Sequence, residues 1–238
     1  MCWGFTASMT LLGVGAASTV ATIALRRPAA VSLALGYFTL MEGLQVWGYT
    51  VLDACGTPAN QAVTLLSYLH IAFQPLVINA FALELVTPEV KARARPWVFG
   101  LAALASLVML LQLLPIPAVG SCQPGTVLCG AELCTVSGEW HIAWQIPYNG
   151  LLVPIERALG IGSALLHPYV LVVFLLPLAY GAWRFVLFHA FAGPVLASLL
   201  TDNPNEVPAV WCLFSIGILF MSLSPWIRAR LARPGSWA

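Results

Sequence analysis

The stretch NQAVTLLSYLHIAFQPLVINAFALE, residues 60–84, is long enough to cross a bilayer as a helix, yet it carries a row of polar side chains. Successive spacings of four, three, three and four place Asn60, Thr64, Ser67, His70 and Gln74 on one helical face. A helix that only had to contact lipid would have no use for this row. The stretch therefore predicts a membrane-spanning helix whose polar face lines the inside of a bundle.

The composition separates this chain from soluble globular proteins. Of its 238 residues, 60% are hydrophobic and 8% are charged, whereas a soluble domain has about 25% charged residues. The formal net charge of +1 provides no basic surface for a phosphate backbone, which argues against nucleic acid as a partner. We therefore expect an all-α integral membrane bundle that forms a single domain over residues 1–238.

Seven segments contain enough apolar residues to cross the bilayer as helices, since a span of ~30 Å requires about 20 residues. The fifth segment is the least regular, because Pro147, Asn149, Gly150 and Pro154 interrupt it. The seven predicted transmembrane helices cover residues 3–25, 29–52, 61–86, 97–114, 141–159, 163–188 and 207–227.

The basic residues predict the orientation of these helices. If the N-terminus lies outside, nine of the ten Lys and Arg residues fall in inner segments, and Arg184 alone falls near the outer face. Without the fifth helix, the three C-terminal arginines would lie outside. We expect the N-terminus outside, the C-terminus inside, and a multi-pass protein of the bacterial inner (cytoplasmic) membrane, with the lipid bilayer as its partner.

Four cysteines, Cys55, Cys122, Cys129 and Cys134, fall in outer loops under this topology. Three of them belong to a long outer loop at residues 115–140. Outer loops of a bacterial membrane protein meet an oxidising compartment, and four cysteines allow three pairings. We favour one disulfide inside the long loop and one joining that loop to Cys55. The alternatives are free thiols or a metal site.

Ionisable side chains inside a bilayer are costly and usually face an interior cavity. At ~1.5 Å per residue, Glu42 lies ~15 Å, His70 ~14 Å and Ser215 ~12 Å from the outer ends of their helices. A short loop joins the first two helices, so we expect antiparallel neighbours with Glu42 in contact with His70. Gln45 and Ser67, one turn nearer the outside, complete a predicted polar pocket. Alternatively, these groups only hydrogen-bond the helices together.

A second unusual stretch is EWHIAWQIPYN, residues 139–149. Three aromatic residues recur there at a spacing of four, which predicts one helical face. It fits either an interfacial aromatic belt or a lid. In the lid, His141, Gln145 and Asn149 turn toward the pocket mouth. The polar turn at residues 201–206 is interpreted as structural, with Asp202 or Asn205 as a possible helix cap.

The histidines do not share one depth in the predicted bundle. His141 is expected at the outer surface and His167 near the inner one, which argues against a zinc site or a bis-histidine haem around His70. An outer metal site with His141 and His189 is the alternative. No metal or cofactor is assigned. A histidine held by Glu42 could instead serve as a base, a proton relay or a head-group ligand.

Several short motifs resemble an uncharacterised family of bacterial multi-pass membrane proteins that open with Met-Cys-aromatic and have no established activity. The resemblance implies a multi-pass topology. The motifs are Met1-Cys2-Trp3 with Ala7-Ser8, Glu42-Gly43 with Gln45, Trp140-His141-Ile142, and Trp211-Cys212 with Phe214.

Two characterised seven-helix families do not fit. The metal-dependent hydrolases that include alkaline ceramidases and adiponectin-type receptors place Ser and His four apart and two His on the last helix. Here Ser67 and His70 are three apart, and the last helix has no histidine. Retinal-binding rhodopsins need a lysine in the last helix, and Lys91 is the only lysine of this chain.

The sequence thus predicts a membrane protein that binds, senses or transports a small polar or amphipathic ligand in an outward-facing pocket. The alternatives are a hydrolase-like intramembrane enzyme that uses His70 and Glu42, with Ser67 or Ser215 as nucleophile, and a structural subunit of a membrane complex. The predicted ligand-binding residues are Glu42, Gln45, Ser67, His70, Gln74, Ser215, His141 and Gln145.

Overall fold

Proline residues mark where several helices of this chain begin. Pro58, Pro88 and Pro225 lie in the first turn of three helices, where the missing N–H costs no hydrogen bond. Thr57 precedes the first of these helices, and its hydroxyl accepts a hydrogen bond from the amide of Asn60. The turns between helices are therefore encoded locally.

The computed structural model describes residues 3–155, 168–232 and 236. Eight helices and one antiparallel hairpin are its main elements. The helices are α1 (Phe5–Ala24), α2 (Ala29–Thr50), α3 (Pro58–Ala82, extended by a 3-10 turn at Leu83–Leu85), α4 (Pro88–Leu111), α5 (Pro168–Ala179), α6 (Trp183–Leu200), α7 (Val207–Leu223) and α8 (Pro225–Leu231). The strands are β1 (Cys134–Ser137) and β2 (Ile142–Gln145).

Five of these helices are long and apolar enough to cross a membrane, judged by length and composition: α1, α2, α3 with its extension, α4 and α6. Helices α5 and α7 are apolar but shorter. The mostly helical fold is as predicted. The predicted bounds agree within a few residues with both ends of α1, α2 and α3 and with the end of α4. Helix α4 is the exception, since it begins at Pro88 rather than at residue 97.

Helix α3 is the most enclosed of the long helices. Fifteen of its 25 residues are buried, against four of 20 in α1. It packs between α2 and α4, and α2 in turn packs against α1 and α7. Because α3 is surrounded, its polar row faces protein. The helix continues through Pro75, whose carbonyl accepts a hydrogen bond from the Asn79 side chain.

The predicted fifth helix, residues 141–159, is wrong over its first half. Residues 142–145 form strand β2, which pairs with β1 so that Cys134 lies opposite Gln145. The non-helical loop therefore runs from residue 112 to 152 and is longer than the predicted 115–140. Pro147 cannot continue a helix, and a disulfide from Cys55 to Cys134 ties β1 to the turn after α2. Residues 156–159 lie outside the described residues.

The predicted sixth helix, residues 163–188, is also wrong. The chain turns at residues 180–182, where Gly181 adopts a φ of 89° that a side chain would disfavour. Helix α6 then runs back as a separate element. Its Arg184 donates a hydrogen bond to the carbonyl of Arg230 at 3.3 Å. Arg184 therefore lies beside the C-terminal arginines and not at the opposite face. The predicted seventh helix ends early, at Leu223, before Pro225 starts α8.

The bundle has two chemically different ends. The loop end holds the turns at residues 51–57 and 201–206 and the loop at 112–152. The basic end holds the turns at 25–28 and 180–182, the start of α4, and α8. All eight Lys and Arg residues within the described parts of the chain lie at the basic end: Arg26, Arg27, Lys91, Arg93, Arg95, Arg184, Arg228 and Arg230. Cys2, Arg157, His167 and Arg233 lie outside the described residues.

Candidate functional site

The loop end is braced by two disulfides. Cys122 bonds to Cys129 inside the long loop, and Cys55 bonds to Cys134. This agrees with the predicted arrangement of one disulfide inside the loop and one to Cys55, which left the individual partners open. Two residues of the polar row hold the same hairpin. Asn60 donates to the carbonyl of Thr135 at 2.9 Å and accepts from its amide at 2.9 Å, while the Thr64 and Thr135 hydroxyls are 2.7 Å apart. The first part of the row therefore attaches the loop to α3.

A buried carboxylate joins the long loop to the start of α7. The Glu206 side chain is fully buried. It accepts hydrogen bonds from the amides of Glu139 at 2.9 Å, Trp140 at 2.6 Å and His141, and from the Thr201 hydroxyl at 2.6 Å. Every group around this carboxylate is a donor. The turn at 201–206 is structural, as expected, but no local pattern in the sequence marks Glu206 as the residue that closes the loop.

His141 fills the space beneath this loop. Its Nε2 donates to Oε1 of Gln45 at 3.0 Å, and its Nδ1 accepts from the hydroxyl of Tyr49. Gln45 also donates to the carbonyl of Ala209 at 3.1 Å. Two of the predicted site residues, Gln45 and His141, are thus brought together. Their hydrogen bonds attach the loop to α2 and α7. Both side chains are fully buried. Burial lowers the pKa of His141 to about 3.

We expect His141 to make the protein less stable in acid. Its pKa falls from an ordinary 6.5 to about 3 in the folded protein, so between these values the unfolded chain binds a proton that the folded protein excludes. The free energy of unfolding should therefore rise with pH across this window, by up to ~1.4 kcal/mol per pH unit. Thermal unfolding at several pH values measures it. The His141→Gln variant should have a shallower slope, and equal slopes would contradict the assignment.

His70 does not contact Glu42, which corrects the predicted pair. Its Nε2 donates to the carbonyl of Tyr37 at 2.7 Å, and its Nδ1 accepts from Nε2 of Gln74 at 3.3 Å. The Tyr37 hydroxyl donates back to the carbonyl of His70 at 2.7 Å, and the two rings stack at 3.9 Å. Both ring nitrogens are therefore occupied by neutral groups. The predicted contact between Glu42 and His70 does not form, because His70 lies one turn farther from the loop end than Glu42.

Gln74 is the centre of a hydrogen-bonded cluster. Besides His70, its amide contacts the Cys212 thiol at 3.5 Å, and its Oε1 accepts from the Tyr169 hydroxyl at 2.5 Å. The cluster joins α3, α5 and α7. Tyr169 and Cys212 are buried. These hydrogen bonds fix the orientation of the Gln74 amide, with its nitrogen toward His70 and Cys212 and its oxygen toward Tyr169.

A cavity of about 420 Å³ extends from this cluster to the loop end. Its inner part is formed by Gln74, Tyr169 and Cys212, and apolar side chains such as Ile71 and Trp211 line the middle. Toward the loop end it reaches polar residues of the 112–152 loop, of the end of α6 and of the 201–206 turn. The described residues there include Gln112, Thr126, Tyr148, Ser198, Thr201 and Asp202.

Of the predicted ligand-binding residues, Gln74 lines this cavity. The other seven, Glu42, Gln45, Ser67, His70, Ser215, His141 and Gln145, are not among its described lining residues. Ser215 donates to the carbonyl of Trp211 on its own helix, and Gln145 lies on β2 opposite Cys134. The predicted lid is therefore a strand rather than a helix. Asn149 does not face a pocket mouth, because its amide donates to the carbonyls of Leu111 and Leu114.

The aromatic and thiol groups of the cavity were not predicted as site residues. Trp211 and Cys212 stood out in the sequence as a motif within an apolar helix, which is the one signal that could have found them. Tyr169 follows Pro168 in a segment that the sequence assigned to a continuous helix, so its placement could not be foreseen.

The described residues do not assemble the serine–histidine pair or the outer histidine pair that the sequence offered as alternatives. Among the described residues, no serine hydroxyl hydrogen-bonds to His70, and no group of three His, Cys, Asp or Glu side chains is arranged as a metal site. His189 lies inside α6, where its Nε2 accepts from the indole of Trp211 at 3.3 Å. It therefore does not pair with His141, both of whose ring nitrogens bond elsewhere.

These features define a class: a mostly helical protein with five candidate apolar spans, a disulfide-braced loop, and an internal cavity with polar groups at both ends. The chain belongs to a family of unknown function, DUF5765, whose sequence profile matches residues 6–232. The uncharacterised family expected from the sequence is thereby confirmed. No curated protein and no solved structure shows significant similarity to this chain.

Proposed function

We propose that this protein spans a membrane and binds a small amphipathic molecule in the cavity between Gln74 and Asp202. The observation that carries the proposal is the cavity itself. Its volume of about 420 Å³ is in the range of small-molecule sites, which are mostly apolar with a few directed polar groups. Gln74 supplies such a group at the inner end, and Asp202 supplies another at the loop end.

The distribution of side chains supports placement in a membrane. On α1 the buried residues are Ser8, Gly15, Ser18 and Thr22, whereas Val20 and Ile23 are more than half exposed. Leu199 on α6 is 75% exposed. A surface of this kind is stable against lipid and unfavourable in water.

The proposed orientation follows from the two ends. Basic residues concentrate on the cytoplasmic side of membrane proteins, and all eight described Lys and Arg residues lie at the basic end. Disulfides persist in oxidising compartments, and both disulfides lie at the loop end. We therefore place the loop end outside, with helices α1 to α7 as the seven spans, in the cytoplasmic membrane of a bacterium. The cavity then approaches the outer face.

Charge narrows the class of ligand. Asp202 is the one charged side chain among the described residues of the cavity lining. A neutral or cationic head group at the loop end would be accommodated, whereas an anionic one would be repelled. The apolar middle accepts a hydrocarbon segment. We infer a neutral or cationic amphiphile as the ligand.

Cys212 provides a direct assay, because it lines the cavity as a free thiol. In a Cys2→Ser background in lipid nanodiscs, prolonged exposure to N-ethylmaleimide at alkaline pH, where more thiolate forms, should label Cys212 through the cavity. Dodecyltrimethylammonium or dodecyl maltoside should slow this labelling, and dodecyl sulfate should protect much less. Gln74→Leu should weaken protection roughly tenfold, the value of a lost hydrogen bond of about 1.4 kcal/mol.

Two matched variants separate the cavity from general surface effects. Asp202→Asn should remove the preference for the cationic amphiphile over the neutral one. Glu132→Gln changes an exposed acid of the 112–152 loop, at the same end of the bundle, that is not among the described lining residues, and it should leave protection unchanged. Labelling that no amphiphile slows, in a protein that remains folded, would contradict the proposal.

A further inference from the structure

Glu42 is a buried acid for which the described residues provide no counterion. Its side chain is fully buried in the middle of α2. Neither carboxylate oxygen has a hydrogen-bond partner among the described residues. The ion pair found among the described residues joins Glu84 to Lys91 at the basic end, at 2.7 Å. Glu206 shows the contrast, since its equally buried carboxylate receives four hydrogen bonds.

The register of the helices gives the level of Glu42 relative to α3 and α7. Gln45 bonds to the carbonyl of Ala209, and α2 runs antiparallel to α7, so Glu42 lies level with Cys212. Tyr37 of α2 faces His70 of α3, so Glu42 lies near the level of Ser67. The Ser67 hydroxyl is also fully buried and without a hydrogen-bond partner among the described residues. Two unpartnered polar groups thus share one level.

No cationic side chain faces this level from the elements that pack against α2. The titratable residues nearby are Tyr68 and His70 on α3, Cys212 on α7, His141 before β2, and Tyr49 farther along α2; α1 carries none. His70 and His141 have their ring nitrogens bonded to neutral groups. The nearest described arginines and lysine lie at the basic end.

An ionised carboxylate in such a place would lack both water and a counterion, and its desolvation would cost far more than one hydrogen bond returns. A carboxylic acid is neutral and loses much less on burial. Two oxygen-bearing side chains are too few to surround a metal cation, which needs about six oxygen ligands. The ligand that fits is a single proton.

We propose that Glu42 is a proton-binding site in the core of the bundle, holding a proton at neutral pH while the protein is folded. This inference goes beyond the ligand cavity and does not depend on it. Its consequence is a defined pH response. The folded protein retains a proton that the unfolded chain releases, so stability should fall as pH rises through neutrality.

Dicyclohexylcarbodiimide tests the site directly in the wild-type protein. This apolar reagent reacts with a protonated carboxyl group: the acid O–H adds across a C=N bond to give an O-acylisourea, which rearranges to a stable N-acylurea. Peptide mass spectrometry should locate the adduct at Glu42, with labelling that declines as pH rises. Glu206, which is buried but fully hydrogen-bonded, serves as the internal control and should stay unlabelled.

The Glu42→Gln variant gives an independent readout, because its neutral amide has nearly the shape of the protonated acid. It should fold, and it should lack an infrared carbonyl band of a protonated acid that the wild type has. Its unfolding equilibrium should lose a pH dependence of up to tenfold per pH unit. If Glu42 is unlabelled at every pH and wild type and variant share one infrared spectrum, the side chain is ionised and the proposal is overturned.

Discussion

Replacing Glu206 with alanine should lower the free energy of unfolding by about 4 kcal/mol, because each buried donor left without a partner costs ~1–3 kcal/mol. The carboxylate accepts hydrogen bonds from the amides of Trp140 and His141 and from the Thr201 hydroxyl, and also from the more exposed Glu139 segment. A loss of this size corresponds to a fall of about 10 °C in Tm for a chain of this length. Thermal unfolding in a mild detergent measures it.

The Glu206→Gln variant sharpens this test. Every hydrogen bond to the carboxylate comes from an N–H or O–H donor. The amide nitrogen of a glutamine would therefore place its own N–H groups against these donors. We expect this variant to be nearly as unstable as Glu206→Ala. Glu132→Ala removes an exposed acid of the same loop and should change Tm by less than about 2 °C, as surface substitutions usually do. A stable Glu206→Gln protein would mean that the carboxylate does not hold the loop.

The second large effect should come from the disulfide that joins Cys55 to Cys134. It closes a segment with a sequence separation of 79 residues, whereas Cys122 and Cys129 are separated by seven. In the chain-entropy description, these closures are worth about 4.5 and about 2.4 kcal/mol. The Cys55→Ser/Cys134→Ser variant should therefore be the less stable of the two double serine variants.

Unfolding curves of the two double variants, each compared with wild type, measure this difference. The single variant Cys55→Ser is a poor control, because it leaves Cys134 free to form a wrong disulfide. Loss of the Cys55 bridge should also release β1 from the turn after α2, which makes the 112–152 loop more sensitive to protease. Equal stability of both double variants, with an intact loop, would contradict the role given to this bridge.

The helices that the sequence predicts well are those whose signals are local. Helices α1 to α3 have long apolar segments, and Pro58 and Thr57 mark the start of α3 within three residues of the predicted bound. The arrangement of one disulfide inside the loop and one to Cys55 could also be anticipated, because three of the four loop cysteines share one loop. Which of the three bonds to Cys55 could not, since Cys129 is closer in sequence to Cys134 than to Cys122. The membrane orientation stays a prediction, although the position of Arg184 makes the charge asymmetry stronger than expected.

The elements that the sequence missed depend on contacts that the helical pattern does not show. The aromatic spacing at Trp140, Trp144 and Tyr148 fits a helical face, yet β2 forms there because it pairs with β1 in a short hairpin. Glu206, which is distant in the chain, accepts a hydrogen bond from the Trp140 amide just before β2. The turn at Gly181 is hidden in an apolar run, so a continuous helix was the natural expectation.

The candidate site was predicted in part. The polar row on α3 forms as predicted, but its residues make different contacts, and the helical spacing does not show which residue makes which contact. Asn60 and Thr64 hold the loop, His70 bonds to α2, and Gln74 faces the cavity. Which residue of the row lines the cavity depends on the positions of α5 and α7. Those positions are determined by packing between segments that are distant in the sequence.

The proposed function requires the cavity between Gln74 and Asp202 to hold an amphiphile. A density map of the protein in lipid nanodiscs, with and without saturating dodecyltrimethylammonium, would show whether it does. We predict elongated density in the cavity of the saturated sample, with the ammonium group near Asp202 and the chain running past Trp211 toward Gln74. A saturated sample whose cavity is collapsed or without such density would rule out amphiphile binding at this site.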